Sequence, residues 1–217
     1  MKEKKIPIDK AFELLLPWAK KIKHVPIVDL MAAGGENPWK ILVSTMLSAR
    51  TKDSVTSVAS KKLFGVASTP KATAKLSEEE LSELIYPVGF YKIKGKHLKK
   101  LSTIVVEKYG GTVPNSVEEL TTLPGIGIKT ASLVFIKAFD GLDICVDTHV
   151  HRITNLWNLV KTETPEKTRD ELKKVLPKKY WKEINQYLVT LGQTVCRPMK
   201  RECGKCPLKE ICPKSTP

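Results

Sequence analysis

The segment LPGIGIKTA at residues 123–131 is the most informative stretch of the chain. Its Pro124 follows a short predicted helix, and a second helix is predicted to begin directly after Gly127. The two glycines, Gly125 and Gly127, permit a tight turn and let another molecule approach the backbone closely. Exposed amides in such a turn and at a helix start can bind a phosphate oxygen. The pattern therefore predicts a helix-hairpin-helix that grips a DNA backbone without reading its sequence.

The composition of the 217 residues is strongly basic. Lys and Arg number 37 against 23 Asp and Glu, which gives a net charge of +14. Such a charge indicates a polyanionic partner, with nucleic acid first and an anionic membrane surface second. A lysine-rich solvated surface is the simpler alternative. Two basic clusters, at 92–100 and 196–217, would form one footprint if the fold brought them together.

The hydrophobic content and the N-terminus bear on where the protein works. Hydrophobic residues make up 41% of the chain, which is enough for a folded core. No run of about 18 apolar residues occurs, so no membrane-spanning helix is predicted. The opening MKEKKIPIDK leads into neither the apolar segment nor the cleavage site of a secretory signal. We therefore expect an intracellular protein, in the cytoplasm or nucleoid, or in the nucleus of a eukaryote.

Capping signals and helical patterns predict an all-α protein with many short helices. A capping residue precedes proline three times, and two Ser-x-x-Glu sequences fit capping boxes. These residues are Asn37, Thr69 and Thr164, and Ser77 with Glu80 and Ser116 with Glu119. The predicted helices cover about 8–23, 38–49, 53–64, 70–75, 78–86, 92–109, 117–122, 128–139, 148–159, 165–175 and 179–194.

Four of the five cysteines lie close together, at Cys196, Cys203, Cys206 and Cys212. Without a secretory signal, this crowding favours metal ligation over disulfides. Structural zinc usually has two close pairs separated by a longer loop, whereas all-thiolate ligation of a four-iron cluster tolerates unequal spacing. The spacing alone favours iron–sulfur over zinc only modestly. Cys145 is interpreted as a small buried hydrophobe.

Together these motifs resemble the endonuclease III family of base-excision DNA glycosylases. The matching segments are LPGIGIKTA at 123–131, VDTHVHR at 146–152, the four cysteines, and, more loosely, MLSARTKD at 46–53 and VGFYKIKGKHL at 88–98. They follow one order over nearly the whole chain, and their combination is highly specific. The resemblance implies two α-helical domains with double-stranded damaged DNA bound across the cleft. We expect the protein to act as a monomer, without a membrane.

The resemblance also implies domain boundaries and a cofactor. A six-helix domain with the helix-hairpin-helix would occupy about 29–140. A discontinuous domain would combine 1–28 with 141–217 and hold a [4Fe–4S] cluster. The cluster ligands would be Cys196, Cys203, Cys206 and Cys212. The cluster would be structural and would shape a loop from which Arg197, Lys200 and Arg201 meet phosphates.

By resemblance, Lys129 is the catalytic lysine and Asp147 the catalytic aspartate. After the damaged base leaves the stack, the amine of Lys129 would attack the sugar C1′, displace the base and form a Schiff base. β-Elimination would then break the strand. Because an unperturbed lysine has a pKa of about 10.4, we hypothesise that desolvation lowers the pKa of Lys129 in the DNA complex. Asp147 would accept a proton or stabilise positive charge on the sugar.

The residues by themselves leave simpler roles open for both groups. Lys129 has the position of an ordinary first-turn lysine that contacts phosphate. Asp147 precedes Thr148 and would serve as a helix N-cap. The family resemblance favours the catalytic roles, and an aspartate can perform both.

Two further segments would fill the space that the extruded nucleotide leaves. By position, the family's inserted residues are Arg50 and Phe90, with Val88 supporting them. The simpler alternatives are a core aromatic for Phe90 and a phosphate contact for Arg50. Arg50 replaces the usual family glutamine, which leaves recognition of the opposite base open. Ser44 stands where related adenine-mismatch glycosylases have a catalytic glutamate, which argues against adenine removal.

The sequence is therefore interpreted as a bifunctional DNA glycosylase with apurinic/apyrimidinic lyase activity. Oxidised pyrimidines are the substrates that the resemblance implies. A monofunctional glycosylase, in which Lys129 only contacts DNA, is the alternative among enzymes. A non-catalytic, metal-stabilised duplex-binding protein is the alternative from another class.

Overall fold

The computed structural model describes residues 4–22, 34–35 and 37–214, and these residues form an all-α protein, as predicted. They include no β-strand, and Cys196 and Arg201 form one isolated bridge. The helices are α1 Ile8–Lys20, α2 Pro38–Ser48, α3 Asp53–Val66, α4 Pro70–Lys75, α5 Glu78–Ile85, α6 Tyr91–Tyr109, α7 Val117–Thr121, α8 Ile128–Phe139, α9 Thr148–Leu156, α10 Pro165–Val175 and α11 Ile184–Thr194.

The predicted capping residues define the starts of five helices. Three side chains accept a hydrogen bond from a backbone N–H three residues later, namely those of Asn37, Thr69 and Thr164. Ser77 and Glu80 form a reciprocal capping box, and Ser116 caps α7. Each such bond satisfies a backbone donor that the helix leaves unpaired, and its loss costs about 1 kcal/mol.

The helix predicted over 179–194 is wrong in its first third. A 3₁₀ turn at Lys178–Tyr180 comes first, and α11 begins only at Ile184. Tyr180 stacks on Phe12 with ring centroids 3.9 Å apart, while the Trp181 indole N–H donates to the Leu176 carbonyl at 2.8 Å. These tertiary contacts outweigh a helix propensity that amounts to only tenths of a kcal/mol per residue.

The chain divides into two compact units. The N/C unit comprises Met1–His24 with Leu142–Pro217, and the middle unit comprises Val25–Gly141. The predicted domain boundary between 28 and 29 lies outside the described residues, and the other predicted boundary, between 140 and 141, differs by one residue from the division seen here. No helix in the described ranges is both long and apolar enough to cross a membrane.

Each unit has its own apolar core. In the middle unit, α2 is buried along most of its length. It shares one apolar core with α3, α5, α6, α7 and α8, and α4 packs against α6. Within the described residues this unit has seven helices, α2 to α8, each at a position where the sequence predicts one, and the shortest are α4 and α7 with six and five residues. The N/C unit packs α1 with α9, α10 and α11 around the fully buried Phe12 and the buried Trp157.

Candidate functional site

The predicted helix-hairpin-helix is present, formed by α7, a turn and α8. Leu123 and Ile126 are buried and anchor the turn in the core of the middle unit, and the Ile126 N–H donates to the Leu123 carbonyl at 3.1 Å. Gly125 has φ +79°, which favours glycine, and a Cβ there would lie 2.7 Å from the His97 ring. Gly127 is the N-cap of α8, which no side chain caps. The backbone amides at this helix start therefore suit an oxygen acceptor from outside.

Lys129 is the second residue of α8, directly after this turn. Its side chain is exposed, as a nucleophile that must reach a bound sugar requires. The neighbours Ile128 and Thr130 are half-buried, and Ala131 is fully buried. The first turn of α8 is thereby packed against the core, with Lys129 on its exposed side.

Asp147 belongs to the N/C unit, where it is buried and caps α9. Its Oδ1 accepts hydrogen bonds from the N–H groups of His149 at 2.9 Å and Val150 at 2.8 Å. The N-cap role is therefore confirmed. The positive end of the helix dipole also favours the charged carboxylate at this place. Both cap bonds go to the same oxygen, Oδ1.

Arg50 and Phe90 lie side by side on neighbouring segments of the middle unit. The Arg50 guanidinium carbon is 5.6 Å from the centre of the Phe90 ring. Phe90 is 56% exposed, so the alternative of a core aromatic is wrong. Both residues have positive φ, 53° for Arg50 and 59° for Phe90. Val88 is buried in the core of the middle unit at 1% exposure and does not itself reach the surface.

Lys94 is a buried residue near this pair that the sequence analysis treated only as part of the basic cluster 92–100. Its ammonium donates to the carbonyls of Leu47 at 2.8 Å and Ala49 at 2.6 Å, and to the Thr51 hydroxyl at 3.3 Å. Burial lowers the pKa of Lys94 to about 8. A signal was present, because Lys94 shares a helix face with the buried residues Leu98, Leu101 and Val105.

The four predicted thiols meet in the N/C unit. They line one cavity together with apolar side chains, including those of Trp157, Leu191 and Leu208. Burial raises the pKa of the Cys206 thiol to about 11, and the neighbouring thiols act in the same direction. Burial also raises the pKa of Cys212. Arg152 donates to the carbonyl and, at 3.6 Å, to the Sγ of Cys196. Cys145 is separately buried and unbridged, as predicted.

The predicted phosphate-binding residues follow Cys196 on an exposed loop. Arg197 is paired with Glu202, which also binds Lys205 at 2.7 Å. Arg201 donates to the Lys214 carbonyl at 3.3 Å and lines the thiol cavity. Lys200 is exposed. The loop therefore presents a net positive surface, with part of the charge of Arg197 offset by a carboxylate.

Other polar residues in the matching motifs have structural partners. Ser44 is buried and its hydroxyl lies 3.0 Å from that of Ser60. His151 lies 2.6 Å from the Thr168 hydroxyl. The His149 ring packs on α11 where Gly192 leaves room, since a Cβ there would lie 2.2 Å from the imidazole. The histidines therefore pack helices, as the sequence suggested.

The chain is similar to known proteins in both sequence and fold. The family model described as "HhH-GPD superfamily base excision DNA repair protein" matches residues 43–178. Endonuclease III of Thermotoga maritima is 48% identical over 81% of this chain and 83% of that protein. Endonuclease III-like protein 1 of Gallus gallus is 44% identical, over 81% of this chain and 63% of that protein. A solved structure of a trapped endonuclease III–DNA covalent intermediate aligns with a TM-score of 0.76 and 32% identity, over 82% of this chain and 84% of that one.

Proposed function

The chain belongs to the HhH-GPD superfamily of base excision DNA repair proteins and, within it, to the endonuclease III family, and we propose that it is a bifunctional DNA glycosylase and apurinic/apyrimidinic lyase. The observation that supports this most directly is the position of Lys129, an exposed residue in the first turn of α8 that directly follows the Gly125–Gly127 turn. A relative with a similar fold was trapped as a covalent intermediate with DNA, which is the species that such a lysine forms.

The proposed reaction begins when the amine of Lys129 attacks the sugar C1′ of an extruded nucleotide. A C–N bond to the lysine forms while the glycosidic bond breaks, and the base departs with that electron pair and takes up a proton. The sugar ring then opens to a Schiff base. Loss of a C2′ proton and cleavage of the C3′–O bond break the strand by β-elimination. Hydrolysis of the imine finally restores the lysine.

Asp147 would assist as a buried carboxylate held in one orientation by its two backbone hydrogen bonds. In the proposed mechanism it accepts the proton that the attacking amine loses or stabilises positive charge that develops on the sugar. The fixed orientation means that little reorganisation is needed during the reaction.

Damaged duplex DNA is the proposed substrate, with oxidised pyrimidines as the bases removed. The hairpin amides and the basic loop at 197–202 would hold the backbone without reading sequence. Phe90 would enter the stack, and Arg50 would contact the partner of the extruded base. We further propose that the protein acts as a monomer on DNA inside the cell.

We propose that the four thiols hold a [4Fe–4S] cluster. The four thiols line one cavity of the N/C unit, and four cysteine thiolates are the ligand set of such a cluster. When bound, the cluster would supply structural support for the basic loop.

The cluster can be tested on the purified protein. We expect a yellow-brown protein with about four iron atoms per chain, because a cluster with four thiolate ligands absorbs visible light. Cys206→Ser should lose iron and colour, and Cys145→Ala, which removes the cysteine outside the group, should keep both. A colourless protein with about one zinc ion per chain would contradict the proposal.

Lys200→Glu should weaken binding to intact and damaged duplexes by the same factor. Lys200 is exposed on the basic loop, and a phosphate contact contributes to affinity without regard to sequence. The slope of log affinity against log salt concentration should decrease in magnitude by about 1. Lys178→Glu, the same charge change at another exposed lysine of the N/C unit, is the control. A loss confined to damaged DNA would show that Lys200 has a different role.

The proposed function is tested by base release and by borohydride trapping on duplexes that each contain one defined lesion. A bifunctional enzyme releases the base, nicks the strand and gives a covalent adduct when the Schiff base is reduced. Base release without an adduct would favour a monofunctional glycosylase. Duplex binding without either would favour a non-catalytic binding protein. A panel of oxidised pyrimidines and other lesions then defines the substrate class.

A further inference from the structure

Lys94 joins two segments that are far apart in sequence. Its ammonium lies on α6 and donates to two carbonyls at the C-terminal end of α2, those of Leu47 and Ala49, and to the Thr51 hydroxyl beyond them. The last carbonyls of a helix have no partner within the helix. A positive charge is also favoured at this end of a helix dipole. Lys94 therefore fixes how α2 leads into segment 49–51, which contains Arg50.

The second segment, 88–90, is bound to the first by Thr51 and Gly89. The Gly89 N–H donates to the Thr51 hydroxyl at 3.1 Å, so that this hydroxyl bridges Lys94 and Gly89. A Cβ at Gly89 would lie only 2.6 Å from the Arg50 carbonyl. The two backbones are therefore in contact at a point where only glycine fits. Phe90 follows immediately as the N-cap residue of α6, and Lys94 lies in the first turn of that helix.

The backbone at Arg50 and Phe90 is held in a conformation that these residues rarely adopt. Both have positive φ without being glycine, and such geometry persists only where the surroundings over-determine it. The ammonium of Lys94 has three N–H groups for its three acceptors. Its partners are two carbonyls and a hydroxyl, none of them charged. An apolar side chain in its place would leave these acceptors without that donor.

We propose that Lys94 is a positioning residue that clamps segments 49–51 and 88–90 together, so that Arg50 and Phe90 enter the DNA stack as one wedge. The inference rests on the proposed function in assuming that these two side chains insert into DNA. Lys94 itself does not touch the substrate. Its effect is on the insertion step, not on the affinity for an intact backbone, which the hairpin and the basic loop provide.

The test follows insertion by the fluorescence of 2-aminopurine placed opposite a tetrahydrofuran abasic analogue, which does not react with the enzyme. Unstacking of 2-aminopurine raises its fluorescence. Lys94→Met should slow that rise at least about tenfold, since a displacement of about 1 Å can reduce a rate about 100-fold. Affinity for an intact duplex should stay unchanged. Thr51→Val removes only the bridging hydroxyl and should also slow the rise in fluorescence. This variant provides the test if Lys94→Met folds poorly.

Lys62→Met is the matched control. Lys62 is exposed and donates to the Glu83 carbonyl at 3.0 Å near the end of α5, so the variant loses the same charge and the same type of bond. It should insert at the wild-type rate. Equal insertion rates in all variants would overturn the inference, as would an equal loss of intact-duplex affinity and insertion rate in the Lys94 and Thr51 variants. Failure of the proposed function is distinct, because wild-type protein would then release no base and form no borohydride adduct.

Discussion

Lys129→Gln should abolish strand cleavage and borohydride-dependent cross-linking to damaged DNA. The amide of glutamine cannot form a Schiff base, and loss of a nucleophile that forms a covalent intermediate costs at least about 10³-fold in rate. Glutamine has nearly the helix propensity of lysine, so α8 should remain intact. Single-turnover cleavage and the yield of reduced adduct, measured at saturating protein, check the prediction.

Lys137→Gln is the control for this variant, because it removes the same charge from the last turn of the same helix. It should cleave and cross-link like the wild-type protein. Two outcomes would assign Lys129 a different role. An adduct formed by Lys129→Gln at full yield would identify another amine as the nucleophile. A weaker affinity with an unchanged single-turnover rate would identify Lys129 as a phosphate contact.

Asp147→Asn should separate catalysis from capping. Asparagine caps a helix about as well as aspartate, so the N–H groups of His149 and Val150 keep their acceptor and the melting midpoint should barely change. The carboxylate is lost, however, and loss of a proton-transfer group costs about 10²- to 10⁴-fold in rate. We therefore expect a stable protein that binds damaged duplex normally and reacts slowly. Thermal melting and single-turnover base release measure the two effects.

Two further variants separate the effect of capping on stability from the effect of the carboxylate on rate. Asp147→Ala should lose the rate and, in addition, about 1 kcal/mol of stability, since alanine cannot cap. Thr164→Ala removes the cap of α10 and should lower stability by a similar amount with no change in rate. If Asp147→Asn reacted at the wild-type rate, Asp147 would be an N-cap alone, and the carboxylate would have no part in the chemistry.

Local sequence was sufficient for features that depend on neighbouring residues. The caps at Asn37, Thr69 and Thr164 were predictable because an N-cap bond spans only three residues. The hairpin was predictable because its turn needs a positive φ at Gly125, which residues other than glycine resist. The shared cavity of the four cysteines was predictable because seventeen consecutive residues contain them all.

The resemblance to the endonuclease III family supplied the candidate catalytic residues, which local patterns do not reveal. It selected Lys129 and Asp147 from many lysines and aspartates that local patterns do not distinguish. For Asp147 the structure supports the simpler role as well, since its Oδ1 caps α9. Their catalytic roles stay predictions until the Lys129 and Asp147 variants are measured.

By itself, then, the sequence determined the all-α fold, most helix starts, the hairpin and the grouping of the thiols. Only the tertiary structure decided which backbone carbonyls Lys94 binds, that Phe90 is exposed, and that α11 begins only at Ile184. The physical reason is the range of the interactions. Caps and turns act over a few residues, whereas Lys94 reaches carbonyls more than forty residues away, and such pairing depends on how the helices pack.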